Sequence, residues 1–197
     1  MLAYLVLLVA VLSRVLPHFF HAASWNFTAI GGGLLFFGSR MGAGSASGSF
    51  TRKSGLRLAV AIAALIATDF YLTVFVYHFP FVVRAYLTTW LWSAAVCLLG
   101  MGILQKASVL RVGAGVLASS TSFFLLSNFM VWADSSMVMY PRSLSGLGAC
   151  YMAGLPFYRN DLASTALVVA VLFGLPVLAA KLAESMSSAH NDNLPTA

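Results

Sequence analysis

The chain has 197 residues, of which 60% are hydrophobic and only 8% charged, and its mean hydropathy is +0.91. Soluble domains carry about 25% charged residues, so the composition excludes an ordinary water-soluble domain and points to lipid as the solvent. The net charge of +6 is not a nucleic-acid signal, because the basic residues stand between apolar segments, as the positive-inside rule places them.

A membrane-spanning helix needs about 20 mostly apolar residues, so this length accommodates about six spans with short loops. The first apolar segment covers residues 2–16 and ends at Pro17. It has no basic stretch before it, and Arg14 sits at its far end, so a retained first helix is expected rather than a cleaved signal peptide. Segment two, residues 26–41, is short and carries Gly31, Gly32 and Gly33, which suit tight helix packing. A Gly/Ser-rich flexible loop follows over residues 42–54. Segments three, four and five cover residues 56–77, 86–104 and 108–131, and segment six covers 162–182. Between five and six, residues 144–155 are apolar but too short to span, and are read as a short lid helix lying over the outer end or as an ordinary interfacial helix. The fold class is therefore all-α, a polytopic membrane protein with a single six-helix domain over residues 1–183 and a polar, disordered tail over 184–197. No internal repeat of the kind found in inverted-repeat transporters is present.

Two kinds of loop alternate. One is basic, with Arg40, Arg52, Lys53 and Arg57, then Lys106 and Arg111; the other is rich in His, Pro and aromatics, with His18, Phe19, Phe20 and His21, then His78, Phe79, Pro80 and Phe81, then residues 132–161. Placing the basic loops in the cytoplasm puts both termini inside, together with Lys181, and leaves Arg14, Arg84, Arg142 and Arg159 outside or at the outer boundary.

The outer side collects the candidate site residues. Asp69 reads as the one acidic residue within a span, and an ionisable group at that depth is by default a functional hypothesis. A ligand contact and a carboxylate that holds neighbouring helices through Asn128 or an Arg account for it equally well. Asn128 lies near the outer end of segment five, beyond the run Ser119, Ser120, Thr121 and Ser122, which is read as interhelical hydrogen bonding. Tyr71, Tyr77, Phe79, Phe81, Tyr86, Trp132, Tyr140 and Arg142 complete an aromatic, partly polar lining of the kind that holds small molecules. Imidazoles are common metal ligands, so His78 and then His21 are candidates for one axial bond to a metal carried within a cofactor; interfacial histidines bonded to loops are the bland alternative. Neither a His-x-x-x-His pair on a helix nor a Cys-x-x-Cys is present, and no free metal ion is expected. Cys97 and Cys150 are too few for a disulfide framework. Phosphate-binding loops, zinc-protease and hydrolase motifs are all missing, as is any chain of intramembrane carboxylates, so no enzyme is expected.

Four stretches together resemble a known family. They are Ser13-Arg14-Val15-Leu16-Pro17-His18 with Asn26-Phe27-Thr28; Thr68-Asp69-Phe70-Tyr71-Leu72; Ser127-Asn128-Phe129-Met130-Val131-Trp132; and Met139-Tyr140-Pro141-Arg142-Ser143-Leu144-Ser145-Gly146-Leu147 running on to Pro156-Phe157-Tyr158-Arg159-Asn160-Asp161. Spread over residues 13–161, they are similar to the substrate-binding S-components of energy-coupling factor (ECF) vitamin transporters, in particular the solitary cobalamin-specific ones. The resemblance implies a six-helix bundle in the bacterial inner membrane. It would bind cobalamin or a related corrinoid near the outer ends of helices one, three and five, and would topple to release it after docking on a coupling protein with its ATPases. Cobalamin binders of this type can use a cysteine in the loop after helix three as cobalt ligand; here residues 78–85 contain none, and His78 is the metal donor in that loop. Another vitamin or precursor, a membrane enzyme acting on a corrinoid or lipid, or a structural membrane subunit with no ligand are the alternatives. Arg84, Arg142 and Arg159 would suit a carboxylate or phosphate in the first of these.

Overall fold

The computed structural model describes residues 1–15, 28–42, 50–134 and 139–192, with side chains to Met186. Every regular element among them is helical. They are α1 (Leu2–Leu12), α2 (Ile30–Met41), α3 (Arg52–Tyr71, continued by a π turn over Leu72–Val76), α4 (Val83–Ile103), α5 (Val109–Ala133), α6 (Leu144–Val169, continued by a π turn over Ala170–Gly174) and α7 (Leu175–Asp192). Since α6 runs through its π turn into α7, the described residues form six helical rods.

Among the described residues four helices are long and apolar enough to cross a membrane: Arg52–Val76, Val83–Ile103, Val109–Ala133 and Leu144–Met186. Leu91, Leu110, Leu144, Phe157 and Leu167 are among many large apolar side chains left exposed on them. On a soluble protein such a surface would aggregate; in lipid it is the ordinary exterior. The first two helices are shorter. At about 1.5 Å per residue α1 and α2 reach only about 16 and 18 Å, against a hydrocarbon core of about 30 Å.

The short α2 is the centre of the molecule. Leu34, Leu35, Phe36 and Phe37 are all at most 1% exposed, so the helix is enclosed on every side. Glycine makes this enclosure possible. A Cβ on Gly33 would stand 2.5 Å from the Ala10 Cβ of α1, and one on Gly32 would stand 2.7 Å from Val168 of α6. Against α4 the contact is reciprocal: a Cβ on Gly38 would meet the Cys97 carbonyl oxygen at 2.0 Å, and one on Gly100 would meet the Leu35 carbonyl oxygen at 2.3 Å. Small residues that let two backbones meet are the usual means of helix association in lipid.

The basic loop residues have local tasks at the ends of these helices. Arg57 donates from Nη1 to the carbonyls of Arg40 (2.8 Å) and Met41 (3.1 Å), closing the C-terminus of α2. Ser54, fully buried, donates to the Met41 carbonyl at 3.2 Å. Thr51, Ser108 and Ser143 cap α3, α5 and α6 by accepting from the backbone N–H three residues on.

Three expectations change here. Residues 144–155 are not a separate lid helix: they are the first half of α6, which continues without a break past Pro156. Proline removes one backbone donor, from the bond to Met152, and the α5 partner packed along this stretch keeps the helix together. Segment six therefore begins at Leu144 instead of residue 162, and Arg159 and Asp161, read from the sequence as loop residues, lie within a long apolar helix. Third, where a disordered tail was expected after residue 183, α7 continues to Asp192. Ala, Leu, Lys, Glu and Met are strong helix formers, and the end of α7 contains Lys181, Leu182, Ala183, Glu184 and Met186.

Candidate functional site

Two polar clusters lie between the helices, each near the helix ends remote from the basic loops. The first joins the ends of α1 and α3 to α4. Asp69, 2% exposed, is four residues before Thr73, so both project from one face of α3 and its π turn. The Asp69 carboxylate accepts from the Arg14 guanidinium on one oxygen and from Trp90 Nε1 at 2.7 Å on the other. Thr73 shares a hydroxyl–hydroxyl bond with Tyr86. Tyr86 and Trp90, four apart on α4, stack at 5.9 Å, and Phe81 stacks on Tyr86 at 5.0 Å. Phe70 meets the edge of Phe81 at 5.3 Å.

This network brings together three of the residues singled out in the sequence, Asp69, Phe81 and Tyr86. Tyr71 lies outside it, exposed and tilted against Phe75 at 5.8 Å. Tyr77 and Phe79 are exposed. His78 is exposed too, and has a φ of 56°. It follows the π turn of α3, where Tyr77 N–H reaches the Leu72 carbonyl (2.8 Å) and Phe79 N–H the Thr73 carbonyl (2.9 Å). A left-handed residue closing a helix in this way is ordinarily glycine, and turn geometry alone accounts for a residue that tolerates it, His being enriched there. His78→Gly is accordingly expected to hold or raise stability by up to about 1 kcal/mol, and His78→Val to lower it by about 1–2 kcal/mol. Thermal unfolding of the detergent-solubilised protein measures both; equal midpoints for the two variants would refute the backbone account. His21 lies outside the described residues.

The second cluster runs along the antiparallel seam of α5 and α6. Asn128 pairs with Cys150, whose Sγ donates to the Asn128 carbonyl at 3.3 Å. Asn128 Nδ2 donates back to the Phe124 carbonyl at 2.8 Å, and a Cβ on Gly154 would stand 2.4 Å from Asn128 Oδ1. Only glycine leaves the amide room there. One turn further, Tyr151 donates to the Leu125 carbonyl at 2.9 Å, and the Tyr158 and Thr121 hydroxyls meet at 3.0 Å. Phe124 sits between the two tyrosine rings, 5.4 and 4.9 Å from them. Beyond these lies a cavity of about 40 Å³ whose lining includes Ser120, Ser127, Tyr158 and Asp161.

Trp132, in the last turn of α5, and Tyr140 and Arg142, just before α6, flank the connection between the two helices. Trp132 Nε1 donates to the Pro141 carbonyl at 2.9 Å. The Arg142 guanidinium donates to the Trp132 and Asp134 carbonyls and lies 5.6 Å from the Trp132 ring centroid. Arg142 thus clamps its own connection with the charge that the sequence suggested for a ligand, and Tyr140 is half-buried beside it. Among the described residues no group of three His, Cys, Asp or Glu side chains could hold a metal ion.

Sequence reasoning offered an Arg for Asp69 without naming Arg14 and read Ser120 as an interhelical hydrogen-bonder; it missed Trp90 as a partner of Asp69, and Tyr158 and Asp161 on the second seam. Each left a signal. Arg14 is a basic residue away from the basic loops, Trp90 follows Tyr86 at helical spacing, and Cys150, Gly154, Tyr158 and Asp161 recur every three or four residues as one face of a helix does.

The chain belongs to a family of unknown function, DUF6580, whose model matches residues 1–187. No curated protein and no solved structure matches it.

Proposed function

We propose that this chain is a substrate-binding membrane subunit for vitamin uptake, with cobalamin or a related corrinoid as its cargo. It would sit in the bacterial inner membrane as an S-component-like bundle of six helices with both termini inside. The ligand would be captured at the helix ends remote from the basic loops and released on the other side as the bundle reorients, with a coupling protein and ATPases as the energising partners. Such a subunit binds and moves its ligand without chemical turnover.

One observation carries the reading. Two of the motifs that resemble S-components each supply the anchor of a polar, aromatic-flanked cluster, Asp69 in one and Asn128 in the other, both near the C-terminal ends of helices that start at basic loops. Tyr71, Tyr77, Phe79, Trp132 and Tyr140 surround those ends and would supply the apolar contact area. Exposed His78 is the candidate axial cobalt donor in the loop between α3 and α4.

The test is an absorption spectrum of the purified protein after incubation with cobalamin and removal of free ligand. Retained corrinoid bands that shift in wild type and are lost in His78→Ala are the expected result. Bands that survive in His78→Ala keep the vitamin and discard the axial ligand. A colourless protein discards cobalamin and favours another vitamin or precursor, which mass spectrometry of ligand retained through purification would identify.

A further inference from the structure

The cavity on the α5–α6 seam has no part in capturing a vitamin. At about 40 Å³ it takes one water or a dehydrated small ion, far below the roughly 300 Å³ at which pockets for drug-sized ligands begin. Its depth is informative. Ser120 stands about 17 Å along the roughly 37 Å length of α5, near the middle of that span. Asp161, which lines the same cavity, is therefore a carboxyl group at mid-depth of two long apolar helices.

Among the described residues nothing cationic compensates it. Arg14 is taken up by Asp69. On the packed elements, α5 has no basic residue beyond Arg111 in its first turn, and α2 has only Arg40 in its last. Arg159 is exposed and two residues away on α6, a spacing that sends the two side chains to different faces. The other titratable groups on the seam are spoken for: the Tyr158 phenol meets Thr121, Tyr151 donates to the Leu125 carbonyl, and Cys150, about three turns from Asp161, meets Asn128. An ionised carboxylate at such depth is costly unless something neutralises it.

Ser120 is 1% exposed and lines the same cavity. The polar group its hydroxyl meets is the Asp161 carboxyl. Hydroxyl and carboxyl thus present their oxygens together to a space that takes one small ion. The Asp161 backbone is braced for this, since Ser164, fully buried, donates to its carbonyl at 3.0 Å.

We infer that Asp161 and Ser120 form a site for a monovalent cation, filled by a proton or by a sodium ion. Oxygen donors of this kind suit hard cations, and either occupant neutralises the carboxylate. A site of this sort would link the packing of α5 on α6 to the cation concentration on whichever side of the membrane it faces.

The experiment uses the full-length protein in detergent and follows its unfolding midpoint in two titrations. In one, choline chloride is replaced by sodium chloride at constant ionic strength and pH; in the other, pH is lowered without sodium. A cation bound by the folded chain alone stabilises it by mass action, so the wild-type midpoint rises along the sodium axis, or along the acid axis with indifference to sodium, and so identifies the occupant. Asp161→Asn abolishes that response. Ser120→Ala moves the half-point of the titration about tenfold, the loss of one oxygen donor to a charged group; it also carries the test if Asp161→Asn does not fold. A wild type indifferent to both ions overturns the site, as does an Asp161→Asn or Ser120→Ala protein that follows the wild-type curve. Cobalamin takes no part in these measurements, so they stand or fall apart from the vitamin reading.

Discussion

Gly38→Ala is expected to destabilise the protein by about 3 kcal/mol or more, the upper end of the cost of overpacking, although it adds a single methyl group. The Cβ would stand 2.0 Å from the Cys97 carbonyl oxygen, and the atoms next nearest to it are also backbone of α4. No side chain is available to rotate away, so the two helices must separate. Their separation would undo the reciprocal contact of Gly100 with Leu35 and loosen the fully buried Leu34–Phe37 stretch against all its neighbours. At about 2–4 °C per kcal/mol for a chain of this size, the unfolding midpoint falls by about 10 °C. Gly100→Ala, with its Cβ 2.3 Å from the Leu35 carbonyl oxygen, should behave alike. Gly113→Ala and Gly148→Ala are the controls. Nothing lies within 4 Å of a Cβ at either position, so each should gain up to about 1 kcal/mol from helix propensity. Should Gly38→Ala melt with these controls, the close α2–α4 crossing is not how the protein packs.

The three spans α3, α4 and α5 are legible in the sequence because each is a long apolar run bounded by charge, proline or polar residues. Their observed ends differ from the sequence reading by four residues or fewer. The tight packing of α2 is legible in its glycines, but its central position is not, since which neighbours meet those glycines is a property of the assembled bundle. The start of α6 was obscured by chemistry. Pro156 with the polar run Arg159, Asn160 and Asp161 reads as loop, because polar groups at that density are expensive in lipid. In the fold the cost is reduced by α5: Thr121 meets Tyr158 and Ser120 faces Asp161. Those partners lie some forty residues away, and nothing local to the run announces them. Asp69 shows the same limit from the other side. The sequence marks it as an exceptional residue and leaves ligand contact and helix anchor equally open; Arg14 and Trp90, which occupy both its oxygens, come from elements far away in sequence. Two bonded carboxylate oxygens make it an anchor in the described fold, and a ligand would have to be recognised around this cluster rather than through the carboxylate itself.

That anchoring has a measurable consequence. Arg14→Ala is expected to cost about 3–5 kcal/mol, as breaking a buried ion pair from one side does. The carboxylate would remain 2% exposed with Trp90 Nε1 as its one remaining donor among those described, while the guanidinium, itself 21% exposed, contributes most of the neutralising charge. Asp69→Asn should cost less, because the amide is neutral and its oxygen can still accept from Trp90. The informative protein is the double variant Arg14→Leu with Asp69→Leu. Removing both charges removes the penalty that either single change creates, and apolar replacements of buried ion pairs are often neutral or stabilising. The double variant should therefore be more stable than Arg14→Ala, with an interaction term of about 1–3 kcal/mol in a cycle built from the two single leucine variants. Unfolding midpoints in detergent, at ionic strengths from low to high, supply the numbers. A buried pair is screened little by salt, so the interaction should persist at high salt; an additive cycle, or one that vanishes in salt, would mean that Arg14 and Asp69 meet at a wet surface and do not hold α1 to α3.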